Sequence, residues 1–463
     1  MEGDGESSSW CHHWSYRYIF LFFISSIRLM SNYCLEMPSG LEDTIIKVMG
    51  VTTAEYDLLF SVSAWPNVFL CLIGGIIIDK LVGLRLGLLV FVTSVLVGQT
   101  IWGVGGLIDN YFIMLVGRFF IGAGNELTVV ICHAYKALWF KEDLPIAFSI
   151  DIAFGRIGGT LALIFPQMIY ESLTTTFVSR TVRLSATLFI TAAGCILVGV
   201  SFSIIVVIMD YRRETTSKKT KERPCSGSRS ITLKSLKQFS FSLWLILLYN
   251  LTALPILYAF VSIAQDFYIK KYGLSIGAAN TANSLQFGAT VILIPIVGIL
   301  VSKTGYFIYW LLFSIVPSVL AYLIFMFSYG QSFIPYVTGI LNSLSYTMTG
   351  PSYPALLAMI IDKEYITTVY GISQGSFNTS LAIMMFVTGM IVDDCGYFTL
   401  QACYVALTSF GSIALFLVFL IDITVSEKPK LNVPGPWLTC ENDETSSEPL
   451  FNQAPQQEAS KVY

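Results

Sequence analysis

Gly75-Ile76-Ile77-Ile78-Asp79-Lys80-Leu81-Val82-Gly83-Leu84-Arg85 decides the fold, because a version of it returns as Gly298-Ile299-Leu300-Val301-Ser302-Lys303-Thr304-Gly305. Asp79 and Ser302 stand 223 residues apart, and the same offset relates Phe154-Gly155 to Phe377-Asn378. Two pairs of equivalent segments at one spacing indicate a duplicated chain. Each copy of the first segment is a short glycine-and-charge turn between long apolar runs, so the repeated unit is a set of hydrophobic helices.

Outward from these turns, the composition is that of a membrane protein. Hydrophobic residues make up 54% of the chain and charged residues 12%, against about 25% charged in soluble domains. Apolar stretches of about 20 residues, enough to cross about 30 Å of hydrocarbon, lie near residues 18–38, 58–78, 84–107, 111–134, 146–170, 184–209, 240–264, 278–300, 307–327, 333–360, 368–391 and 398–422. An all-α membrane protein of twelve transmembrane helices is therefore expected, arranged as two six-helix bundles with a substrate site near the membrane midplane between them. The divisions are a short N-terminus (1–16), the first bundle (17–209), a basic linker (210–238), the second bundle (239–422) and a tail (423–463). That tail is polar and aperiodic, as disordered segments are. The first span follows a short polar segment and continues into further helices, so it reads as an uncleaved membrane segment.

Orientation follows from Lys and Arg in the short connections. The linker carries nine, from Arg212 to Lys237. Placing it in the cytosol puts 15 basic residues of the connections there and leaves five opposite: Lys47, Arg180, Arg183, Lys270 and Lys271. Both termini are then cytosolic. The cysteines do not suggest a disulfide framework. His12, His13 and Cys11 lack further metal ligands, and neither a nucleophile with its base nor a phosphate loop is visible. No enzyme activity, metal, cofactor or nucleic-acid partner is expected. Both glycosylation sequons, at Asn250 and Asn378, fall inside predicted helices.

Gly75, Asp79, Gly83 and Arg85 together with Arg118, Gly122 and Gly124 resemble the hallmark motifs of the major facilitator superfamily, with one extra residue between Asp79 and Gly83. The resemblance implies its twelve-helix fold and a cytosolic gate at Asp79, Lys80, Gly83, Arg85 and Arg118, weakened in the second half where Ser302 replaces the acid. For Arg118 a structural role stays equally open. Longer strings are similar to a branch of lysosomal dipeptide exporters: Ser63 to Val68, Gly117 to Glu126, Arg156-Ile157-Gly158, and Gly389 to Asp393 with Gly396-Tyr397. This similarity implies export of dipeptides, favouring cationic Lys, Arg or His residues, from lysosome lumen to cytosol by alternating access, as a uniporter. It also implies a single-pass glycosylated partner shielding the lumenal loops, and is compatible with a homodimer.

Within the spans, ionisable residues mark a pathway by default. Glu126 lies eight residues from the cytosolic end of span four and Arg156 ten residues into span five, about 12 and 15 Å at 1.5 Å per residue. At nearly equal depth they are expected to pair when empty and to exchange that pairing for a substrate's ammonium and carboxylate. The alternative is a purely structural ion pair. Further substrate candidates are Glu36 at the lumenal mouth, Asn67 beside Pro66, Tyr353, and Gln374 with Asn378, which share one helix face. Each has a packing or hydrogen-bonding alternative, and His133 reads as a packing residue. Arg28 and Asp151 depart from the resembled pattern and either reshape selectivity or add an ion pair. Other readings are a carrier of another small organic anion or sugar at the plasma membrane, and a non-transporting membrane sensor or scaffold.

Overall fold

The computed structural model describes residues 5–51, 53–140, 143–219, 240–361, 365–424 and 431–434. Most of the basic linker and of the tail lies outside the described residues. In hydrocarbon no water satisfies the backbone, so the chain crosses as helices that bond internally. The first six are α1 (Gly5–Glu36), α2 (Thr53–Ile77), α3 (Gly83–Leu107), α4 (Tyr111–Trp139), α5 (Leu144–Ser172) and α6, which joins Arg180–Cys195 to Ser201–Lys219 through a π turn. The second six are α7 (Phe241–Thr252 continued by Leu254–Tyr272), α8 (Ile276–Thr304), α9 (Phe307–Phe327), α10 (Ile334–Ile360), α11 (Ile366–Val392) and α12 (Asp394–Thr424). Just inside the start of α12 the helix is interrupted at Gly396, whose φ of 77° favours glycine. The segment expected to precede the first span is largely helical, since α1 starts at Gly5.

Helix starts are set by short polar side chains. Asn110, Ser240 and Ser275 accept from the backbone N–H of Ile113, Leu243 and Ala278, opening α4, α7 and α8. Ten described helices are long and apolar enough to cross a membrane. The exceptions are α2 and α10. In α10 the polar residues Thr338, Asn342, Ser343, Ser345, Thr347, Thr349 and Ser352 are buried inside the protein, which lowers its hydropathy without exposing polar groups to lipid. Conversely Trp65 on α2 is 76% exposed.

The extra residue after Asp79 has a structural consequence. Ile78–Val82 forms a π turn, which accommodates one added residue without ending the helix. Gly83 closes it at φ 74°.

The apolar core distinguishes the two ends of the molecule. At the end where α6 runs into the linker, one buried cluster joins both halves, with Phe20, Ile78, Ile131 and Phe148 from the first and Leu243, Leu356, Val369 and Tyr370 from the second. At the far end the core divides. One cluster, with Met37, Trp102 and Leu184, belongs to the first half; another, with Phe260, Phe325 and Tyr404, belongs to the second. Four residues of the tail, 431–434, return to the linker end, where Tyr306 N–H donates to Val433 C=O at 2.9 Å.

Candidate functional site

Between the halves the contacts form two ladders that climb from the linker end to mid-depth. On one, the Asp79 carboxylate accepts from the Thr368 N–H at 2.7 Å and the Thr368 hydroxyl at 2.6 Å. One turn deeper α2 and α11 touch backbone to backbone: a β-carbon on Gly75 would lie 2.8 Å from Thr367 C=O and 3.3 Å from Gly371 Cα. Small residues permit such an approach. On the other ladder Ser302 donates to Asp143 at 3.5 Å, and Gly298 abuts Ser149 and Pro145 of α5. The duplication thus repeats the latch with its acid moved to Asp143, the residue that precedes α5. The two bonds from Thr368 to Asp79 are short, whereas the Ser302–Asp143 bond of the second copy is long.

Above these contacts lie the two deep charges. Glu126 on α4 takes its partners from α11 of the other half: Gln374 Nε2 donates to Oε2 at 2.9 Å and Asn378 Nδ2 at 3.3 Å. Arg156 on α5 also reaches across. Its Nη2 donates to the Tyr258 hydroxyl at 2.6 Å, and that hydroxyl donates to Tyr346 at 3.0 Å. The guanidinium sits 4.3 Å from the Phe287 ring centroid and 4.9 Å from that of Tyr346, an aromatic cage of the kind that holds cations through the ring quadrupole.

The expected pairing of Glu126 with Arg156 is therefore not formed. Each charge is held by neutral groups of the opposite half, which orient it and leave its charge uncancelled. Among the described residues this part of the interface between the two halves thus presents one acidic and one basic side chain, neither ion-paired.

A profile described as Major Facilitator Superfamily matches residues 17–269 and 245–452. The chain belongs to the major facilitator superfamily. It is similar to the lysosomal dipeptide transporter MFSD1 of Danio rerio, with 29% identity over 89% of this chain and 88% of that one. The transporter of the same name from Homo sapiens is 28% identical over 88% and 87%. A superfamily transporter, FucP, solved in the outward conformation, superposes with a TM-score of 0.68 over 87% of this chain and 99% of its own, at 15% identity. Those neighbours share the superfamily fold.

Other residues expected at the site are distributed unevenly. Asn67 is buried and donates to Ser63 C=O of its own helix at 2.9 Å, leaving its Oδ1 without a partner. Tyr353 lies inside the second half, its hydroxyl 2.7 Å from that of Ser373. Glu36 is exposed at the far end of α1. Arg85 pairs with Asp210 at 2.7 Å and Glu214 at 2.6 Å, both on α6 of the same half. Lys80 has its side chain outside those described. Arg118, grouped by sequence with the Asp79 gate, sits towards the other end. It is buried and donates to the carbonyls of Cys34, Leu35 and Leu59, tying α1 and α2 to α4. His133 packs edge-on against Phe148 and Tyr370.

Tyr258, Phe287 and Tyr346 were not singled out from sequence, where aromatic residues inside apolar spans read as packing. Asp151 forms a fully buried ion pair with Lys136, joining α5 to α4, so its departure from the family pattern adds an ion pair.

The latch yields a first prediction. Asp79→Ala removes two hydrogen bonds to a charged group, each worth about 1.5–3 kcal/mol, enough to move a two-state population at least about tenfold. Spin labels on Leu81→Cys and Tyr309→Cys, both exposed at the linker end, are expected to show a longer-distance population in that variant. An unchanged distance distribution would mean the latch does not hold this end closed.

Proposed function

We propose that this protein carries dipeptides from the lysosomal lumen to the cytosol by alternating access, with the linker end cytosolic. One observation carries the reading: Glu126 and Arg156, both from the first half, are each held by uncharged groups of the second. A dipeptide's ammonium displaces Gln374 and Asn378 at Glu126. Its carboxylate meets the Arg156 guanidinium, whose fork matches two oxygens. Binding thus exchanges cross-half contacts for ligand contacts, and a ligand moves a conformational equilibrium only by such differential interaction. The excess of basic residues on the linker side supports the orientation, and similarity to lysosomal transporters supports the compartment.

The carrier acts as a uniporter in this reading. Of the deep acids, Asp151 is occupied by Lys136, and Glu126 is engaged with the substrate's ammonium. Glu36, exposed at the lumenal mouth beside Gly159 of α5, supports attraction of cationic residues. A single-pass glycosylated partner shielding the lumenal face fits the sequons, since Asn250 and Asn378 spend their amides on Ser373 and Glu126.

Ligand-dependent thermal stabilisation of the purified protein tests this, because a ligand that binds only the folded state contributes about 2.7 kcal/mol at one hundred times its Kd. Dipeptides with cationic and neutral side chains are expected to raise the midpoint of the wild type and not of Glu126→Gln. No shift with any dipeptide would contradict the assignment and direct the search to other organic anions.

A further inference from the structure

We propose that Arg28 forms a second carboxylate subsite, which takes the acidic side chain of an Asp- or Glu-containing dipeptide while Arg156 holds the terminal carboxylate. The proposal rests on the dipeptide reading and names a substrate class within it. Arg28, Asn32 and Glu36 follow one another at four-residue intervals on α1 and so line one helix face. That face lies on the stretch of α5 that carries Arg156. A β-carbon on Gly155 would be 2.9 Å from Asn32 Nδ2 and 3.4 Å from Arg28 Nε, and one on Gly159 would be 3.7 Å from Glu36 Cγ. Asn32 also donates to Gly155 C=O at 3.2 Å. The stripe therefore leads from the exposed Glu36 inward to Arg28, about 12 Å along the helix.

Among the described residues no hydrogen bond or ion pair engages the half-buried Arg28 side chain. Its Nε and Nη1 are buried without a hydrogen-bond partner. Asp151, one turn before Gly155 on α5, is taken by Lys136. Donors of a cation that are buried without a partner are costly and are stabilised by an anion that fills them. Arg156 meets the terminal carboxylate in this reading, so the unfilled donors of Arg28 are left for a second carboxylate, that of an acidic side chain.

The test compares Ala-Glu with Ala-Gln, which matches it in shape and lacks the charge, using wild-type protein, Arg28→Gln and Arg28→Lys. Apparent affinities come from thermal shifts of purified protein and from competition for uptake into proteoliposomes. The wild type is expected to bind Ala-Glu at least about tenfold tighter than Ala-Gln. Arg28→Gln brings that ratio to about one, and Arg28→Lys, which keeps the charge and loses the fork, falls between. A wild type without preference, a preference that survives in Arg28→Gln, or an equal weakening of both dipeptides by Arg28→Gln would each overturn the subsite. If no dipeptide binds the wild type, the dipeptide reading itself fails and glutarate decides. Stabilisation by glutarate that is lost in Arg28→Gln upholds a carboxylate subsite for a non-peptide acid, and no effect of glutarate removes it.

Discussion

Arg156→Ala is expected to lower dipeptide uptake at limiting concentration by about 100-fold or more while leaving a folded protein. Truncating one member of a buried, hydrogen-bonded charge pair costs about 2–5 kcal/mol, and each 1.4 kcal/mol is about a factor of ten. In the proposed function the pair forms between Arg156 and the substrate's carboxylate, so the loss is expected to fall on transport. The empty protein is affected little. Tyr258 keeps its bond to Tyr346, no anion is orphaned, and alanine suits a helix interior. Arg156→Lys retains the charge but not the planar fork or its stacking on Phe287, and should recover only part of the activity. Initial uptake rates beside thermal midpoints separate the two effects. Uptake close to wild type in Arg156→Ala would remove this residue from the binding site.

The second large effect concerns stability. Lys136 and Asp151 are both fully buried, and Lys136 also lies over the Phe148 ring at 5.1 Å. Asp151→Asn leaves an ammonium without its counter-ion, an error that costs about 3–5 kcal/mol. A sharply lower thermal midpoint and folded yield are expected, and Lys136→Met alone should do the same by stranding the carboxylate. The double variant Lys136→Met with Asp151→Leu removes both charges and is expected to regain most of the lost stability, since apolar replacements of a buried pair are often neutral or better. Additive losses in the double variant would show that the two residues do not act as a pair.

What sequence made legible was what has a local signature. Ten of the twelve spans carry the apolar length of a membrane helix among the described residues, while α2 and α10 fall short of it. The duplication follows from turn residues that recur at one spacing, and Glu126 and Arg156 stand out because ionisable groups are rare at membrane depth. Gln374 and Asn378 were visible as a polar stripe, but their partner was not, because it depends on how α4 of one half crosses α11 of the other. The aromatic cage was hidden for a different reason: in a chain with 54% hydrophobic residues, Tyr258, Phe287 and Tyr346 carry no mark that separates them from packing residues. Arg118 was placed with the gate by its motif although helix length argued otherwise, since it lies only seven residues from the start of α4 at Tyr111. That position puts it near the end opposite Asp79. Arg28 was visible as a charge out of place, while the glycine face of α5 that receives it became apparent only in three dimensions.

Dipeptide flux itself is the most direct test of the central claim. Purified wild-type protein in proteoliposomes, supplied with a labelled dipeptide on one side, should show saturable uptake that unlabelled dipeptides compete away and that Arg156→Ala abolishes. Uptake no greater than that of protein-free vesicles, from protein shown to be folded in the same membranes, would contradict it.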